Sequence, residues 1–101
     1  MQISYHPAAG REIVQEVRYY DTRSPGLGRD FKEGVRQAMQ KIQATPLRFA
    51  PGAFGTRRCP IGRFPHRIVY RVENDMLRVY AVVHPKRKPD YWMERVTGGL
   101  D

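Results

Sequence analysis

The stretch Arg67-Ile68-Val69-Tyr70-Arg71-Val72-Glu73-Asn74-Asp75-Met76-Leu77-Arg78-Val79-Tyr80-Ala81-Val82-Val83, RIVYRVENDMLRVYAVV, decides the fold. Two runs rich in β-branched and aromatic residues flank Asn74-Asp75, residue types that tolerate the left-handed backbone of a tight hairpin turn. The pattern predicts two antiparallel strands. With the turn centred on Asn74-Asp75, Val72 faces Leu77, Tyr70 faces Val79 and Ile68 faces Ala81, which makes one apolar face. The other face pairs Arg71 with Arg78, Val69 with Tyr80 and Arg67 with Val82, and leaves His84 diagonal to Arg67 at about 7 to 8 Å between backbones. A slip of one residue would bury the arginines, so the apolar pattern itself selects this register. Two arginines directly opposed are unfavourable for folding alone, so Arg67, Arg71, Arg78 and His84 are expected to turn together toward an anion.

The apolar face of the hairpin needs a cover, and the residues before it supply one. Gln2-Ile3-Ser4-Tyr5 alternates as a short strand and stops at His6-Pro7, where proline can open a helix. From Pro7, Ala9, Ile13, Val17 and Tyr20 form an amphipathic stripe, with Arg11, Glu12, Gln15, Glu16 and Arg18 between them. Asp21 to Gly26 breaks the helix, and Ser24 before Pro25 is the expected N-cap of the next. Phe31, Val35, Ala38 or Met39, and Ile42 carry a second stripe up to Thr45-Pro46. In the Pro- and Gly-rich connection from Pro46 to Gly55, Leu47 and Phe49 are expected to tuck under the core. Thr56 to Cys59 reads as a further strand and Pro60-Ile61-Gly62 as the turn after it. The expectation is an α+β domain over residues 1–101: an antiparallel sheet of about four strands with a helical hairpin on one face, in the order β-α-α-β-β-β.

At 101 residues with 41% hydrophobic content, the chain suits one domain with a thin core. The single cysteine, Cys59, excludes an internal disulfide, fits a reducing compartment and reads as a packing residue. The opening MQISYHPAAGRE has neither a basic leader nor a long apolar segment, and no run approaches the ~20 apolar residues of a membrane span, so a cytoplasmic location without membrane contact is expected. A net charge of +8 predicts a polyanionic or acidic partner. Residues 57–95 hold ten Lys/Arg against four Asp/Glu, and residues 1–56 hold eight against five, which concentrates the positive potential in the C-terminal half. No zinc-ligand spacing, Gly-rich phosphate loop or Ser-His-Asp arrangement is present, so neither a metal nor a cofactor is expected.

The ordered set YHPAAGREI, YYDTRSPGLGRDF, PLRFAPG, FPHRIVYRVENDMLRVYAVVH and KRKPDYW resembles the RelE/ParE superfamily of bacterial toxins from type II toxin-antitoxin pairs, over nearly the whole chain. The resemblance implies a growth-arresting toxin neutralised by an acidic antitoxin in a hetero-oligomer, with one of two mechanisms. The long helical hairpin, the SPGLGRDF turn and the HPKRKPDYW tail look more like the ParE branch, whose members resemble non-catalytic inhibitors of DNA gyrase. There the basic face and tail would be a docking surface: Arg57, Arg58, Arg71, Arg78, Lys86, Arg87 and Lys88. The alternative, RelE-like cleavage of messenger RNA on the ribosome without metal, would use Arg67 to clamp a phosphate, His84 as base or acid and Tyr91 as proton donor or stacking platform. Against that pattern, the Phe49 to Arg58 segment has no carboxylate base, and Pro85 stands where RNA-cutting members place a cation. A non-toxic basic nucleic-acid-binding module is the reading from a different class. Tyr91 and Trp92 also read simply as packing anchors, and Lys86-Arg87-Lys88 as a solvated run.

Overall fold

A computed structural model describes Met1–Gly98. The elements run β1 (Gln2–Tyr5), α1 (Pro7–Arg23), α2 (Leu27–Ala44), β2 (Ala50–Pro51), a single 3-10 turn at Ala53–Gly55, β3 (Arg57–Pro60), β4 (Arg67–Glu73), β5 (Met76–Val83) and α3 (Met93–Thr97). One sheet has the strand order β1-β5-β4-β3-β2. It is mixed: β1 lies parallel to β5, and the other pairs are antiparallel. Chain direction explains the difference from a purely antiparallel sheet. α1 and α2 carry the chain out and back, β3 then sets off in the direction of β1, and two hairpin reversals leave β5 running that way as well. A strand placed beside β5 from the start of the chain can only be parallel to it.

The helices meet the sheet as the stripes require. Phe31, Val35, Ala38, Met39 and Ile42 of α2 and Ala9 of α1 pack with Ile68, Tyr70, Leu77, Val79 and Val82, and Cys59 and Ile61 complete this core. The α1–α2 hairpin turns on Gly26, whose φ of 87° is the left-handed conformation that glycine adopts freely. Gly26 therefore occupies the N-cap of α2, while Ser24 ends α1 with its N–H on the Tyr20 carbonyl. Gly28 permits the close helix approach: a Cβ there would sit 2.3 Å from the Val17 carbonyl oxygen, and its N–H donates to Asp21 Oδ1 at 2.8 Å. In the connection after α2, Phe49 packs on the core but Leu47 is 66% exposed. The connection is held through its carbonyls instead: Leu47 and Phe49 accept from Arg57, each at 2.9 Å, and Pro46 accepts from the Tyr70 hydroxyl at 2.5 Å.

The β4–β5 turn falls at Asn74-Asp75 with Asn74 at φ 56°, and Val72↔Leu77, Arg71↔Arg78 and Tyr70↔Val79 pair as the apolar pattern requires. Beyond that point the register changes. A bulge at Tyr80 places Val69 opposite Ala81, Ile68 opposite Val82 and Arg67 opposite Val83. Tyr80 and Ala81 both join the face away from the helices, Val82 enters the helix-side core, and every later side chain reverses its side. His84, one residue past β5, therefore turns toward the helix side and lies edge-on to His66, with ring centroids 4.9 Å apart. The run Tyr80-Ala81-Val82-Val83 is apolar at each position, so neither face penalises the shift.

The second face is covered as well. The chain after β5 folds back over it, and Trp92 (0% exposed) and Val96 pack on Val69, Tyr80 and Ala81. This second, smaller core explains why Tyr91 and Trp92 follow the cationic run: they anchor it.

Candidate functional site

β1 is only four residues long, so among the described residues no strand lies beside the half of β5 beyond Val79 on that side. Exposed strand edges must be satisfied or blunted, and side chains do so here. Val82 N–H donates to Glu12 Oε1 at 2.9 Å, the Tyr80 carbonyl accepts from Arg95 at 3.0 Å, and the Val82 carbonyl lies 3.4 Å from the Tyr91 hydroxyl. Glu12 is the hub of this arrangement. Its carboxylate also accepts from Arg95 Nη1 and Nη2 at 3.0 and 2.8 Å, and from the Tyr91 hydroxyl at 2.7 Å. Burial alone would push this carboxyl up, but the hydrogen bonds from Arg95, Val82 and Tyr91, with the charge of Arg95, hold it below the usual carboxylate range. Tyr91 moves the other way, raised by burial first and then by the Glu12 hydrogen bond and charge.

Above this anchor the tail presents its cations. The Arg87 guanidinium lies 4.0 Å from the centroid of the Tyr91 ring, and that of Arg58 lies 5.7 Å from Trp92. Arg58, Arg67, Arg87 and His84, with Val83 and three prolines, Pro65, Pro85 and Pro89, line a concavity of about 170 Å³. No carboxylate of the described residues lines it. Three guanidinium groups converging on one hollow make a site for an oxyanion such as a phosphodiester. On the other side of His84 a neighbouring hollow of about 180 Å³ is lined by Glu12, Gln15, Glu16, Val82, Lys86 and Arg87 along with His84. His84 Nδ1 accepts from the Lys86 N–H at 3.0 Å, which leaves its proton on Nε2.

Of the residues singled out from sequence, Arg58, Arg67, His84 and Arg87 meet at the hollow. The others do not. Arg71 and Arg78 stand at the turn end of the hairpin, and the anion that Arg71 meets is Glu73 of the same chain. Arg71 Nε donates to Glu73 Oε2 at 2.8 Å, the Tyr80 hydroxyl donates to the same oxygen, and Arg78 donates to Ser4 Oγ. Burial would raise the Glu73 carboxyl, yet the hydrogen bonds from Tyr80 and Arg71 and both arginine charges hold it low. Arg57 is engaged by the Leu47 and Phe49 carbonyls. Lys86 borders the neighbouring hollow, and Lys88 is exposed. The Tyr91 hydroxyl is turned to Glu12. Sequence reading missed Glu12, Arg95 and His66. Glu12 and Glu16 were legible in helical phase: they sit three and seven residues after Ala9, on the side of α1 that meets the sheet. Buried His66 has Nε2 3.1 Å from Glu16 Oε2, near enough for an ion pair but not aligned for a hydrogen bond, and burial lowers its pKa against the pull of Glu16.

Among the described residues no cluster of His, Cys, Asp or Glu could hold a metal, and no helix is long and apolar enough to cross a membrane. The family model of the ParE toxin of type II toxin-antitoxin systems, parDE, matches residues 3–89. The chain belongs to the ParE toxin family. In its fold this ParE-family chain is similar to a solved structure of the chromosomal ParDE toxin-antitoxin system from P. aeruginosa, with a TM-score of 0.73 at 14% identity over 83% of this chain and 95% of that one. No curated protein matches the chain. The matched span includes the sheet from Ile3 onward, the helical hairpin and the tail as far as Pro89, and so takes in all eight residues that line the hollow.

Proposed function

We propose that this ParE-family chain is the toxin of a toxin-antitoxin pair, that it arrests bacterial growth in the cytoplasm by blocking DNA gyrase on its DNA, and that an acidic antitoxin neutralises it in a hetero-oligomer. The arginine-lined hollow, with Lys86 and Lys88 beside it, is the docking surface. The observation that carries this reading is a hollow lined, among the described residues, by three arginines and no carboxylate in a chain of the ParE family. A non-catalytic role is supported by the groups that a proton-transfer mechanism would call on: the Tyr91 hydroxyl is bonded to Glu12 and His84 Nδ1 to the Lys86 N–H. The RelE-like alternative, ribosome-dependent cleavage of messenger RNA, is favoured by the presence of Arg67 and His84 at one hollow.

The purified chain, alone and with the acidic protein encoded beside it, tests both readings in parallel supercoiling and ribosome-programmed translation assays. Inhibited supercoiling with accumulation of cleaved DNA, relieved by the partner, is the expected result. Unaffected supercoiling at excess protein would overturn the gyrase reading, and cut messenger under those conditions would establish the alternative. Harmless expression of the folded chain in bacteria would overturn both and leave a basic binding module.

A further inference from the structure

We propose that Glu12 is the positioning residue of the arginine-lined hollow, holding Arg87 at its rim by way of Tyr91 so that the site meets a phosphodiester backbone already assembled. The proposal rests on the reading of that hollow as a contact for nucleic-acid phosphate. Glu12 lies on α1, far in sequence from the tail, and is 8% exposed. Its carboxylate receives the Tyr91 hydroxyl at 2.7 Å, the Tyr91 ring lies 4.0 Å from the Arg87 guanidinium, and Arg87 lines the hollow with Arg58, Arg67 and His84.

The hydrogen bonds within the tail itself are local. Arg87 N–H donates to the His84 carbonyl, Tyr91 N–H to that of Lys88, and Met93 N–H to that of Asp90. They fix turns but do not fix the tail against the body of the domain. Trp92 packs the end of the tail on the sheet, and the polar contacts that tie it to α1, those of the Tyr91 and Arg95 side chains, converge on Glu12. An arginine on an untethered tail would lose its rotamer freedom on binding; one already seated on a held aromatic ring loses less, which is how a residue without ligand contact raises affinity.

The test measures binding of a fluorescent 20-base-pair duplex against salt concentration for the intact chain, Arg87→Ala, Glu12→Gln and Tyr91→Phe. Tyr91→Phe keeps the ring and the Glu12–Arg95 pair, so it guards against a Glu12 variant that fails to fold. Loss of one phosphate contact lowers the steepness of log K against log salt by about 0.9. Glu12→Gln and Tyr91→Phe are each expected to approach the fall produced by Arg87→Ala, and to add little to it in double variants. A purely structural Glu12 would lower the melting temperature and leave the slope unchanged. The second readout needs no ligand: the Arg87 side-chain protons, over the Tyr91 ring, should show upfield ring-current shifts by NMR that collapse in Glu12→Gln and Tyr91→Phe. Folded variants that keep both the slope and the shifts overturn the proposal. An intact chain that does not bind the duplex overturns the phosphate reading of the hollow, while the NMR shifts still decide whether Glu12 positions Arg87.

Discussion

Replacing Trp92 with alanine should unfasten the tail, and the size of the effect can be worked from its surroundings. The indole is fully buried against Val69, Tyr80, Ala81 and Val96. A buried tryptophan covers roughly 150–250 Å², which at about 25 cal/mol/Å² gives a gross stabilisation of roughly 4–6 kcal/mol. Its Nε1–H has no hydrogen-bond partner among the described residues, and an unmet buried donor gives back about 1–3 kcal/mol. With about 2 kcal/mol taken for that donor, the net is roughly 2–4 kcal/mol, below the usual tryptophan-to-alanine range at one end and within it at the other. Trp92→Phe removes the unmet donor and keeps much of the packing, so it should cost about 1 kcal/mol or less. Urea unfolding followed by far-UV circular dichroism is the assay, because Trp92 is the sole tryptophan and its fluorescence disappears in both variants. At about 4–8 °C per kcal/mol for a domain of this size, the alanine variant should melt about 8–32 °C lower. An alanine variant within about 0.5 kcal/mol of the parent would refute the claim that the tail is part of the folded unit.

Two further predictions concern the frame of the domain. Gly28→Ala places a Cβ 2.3 Å from the Val17 carbonyl oxygen and 2.7 Å from the Asp21 side chain, so it should lower stability by about 1–3 kcal/mol in urea unfolding, despite the better helix propensity of alanine. Stability should also fall on acidification in two stages. His6 and His66 have pKa values lowered from 6.5, chiefly by burial, so the unfolded chain takes up their protons first; their contribution is complete above about pH 6.5 and is lost as pH falls toward their folded values. Glu12 and Glu73 are held below 4.5, so their contribution is present above that value and is lost as pH falls through their lower folded pKa values. Urea midpoints from pH 8 to pH 3 check this, and a midpoint that does not decline below pH 6 would contradict the burial of His66.

The hairpin turn, the first three pairs of its register and both helical stripes could be read from the chain, because each rests on an apolar period that the core enforces. The sheet position of β1 could not, since a parallel partner is set by chain direction across the entire domain. The bulge at Tyr80 left no mark for a different reason: four consecutive apolar residues are compatible with either face, and parity decided the side of His84. Arg71 and Arg78 were correctly paired, but the partner of Arg71, Glu73, lies at the turn, where a carboxylate looks solvated. Arg67, Arg58 and Arg87 do share one hollow, since the first two lie on adjacent strands and the third follows directly from the fold-back of the aromatic anchors. Glu12 was hidden by its type, because a carboxylate on the sheet side of a helix looks like an error in the stripe until the unpaired edge of β5 supplies its purpose.

The most direct measurement is the supercoiling activity of DNA gyrase titrated with the intact chain and with the triple variant Arg58→Ala, Arg67→Ala, Arg87→Ala. All three side chains are solvent-exposed, so the variant should fold. The account expects the intact chain to inhibit, and the triple variant to need roughly a hundredfold more protein or greater, the sum of about 1 kcal/mol or more at each lost phosphate contact. Equal inhibition by the two would contradict it.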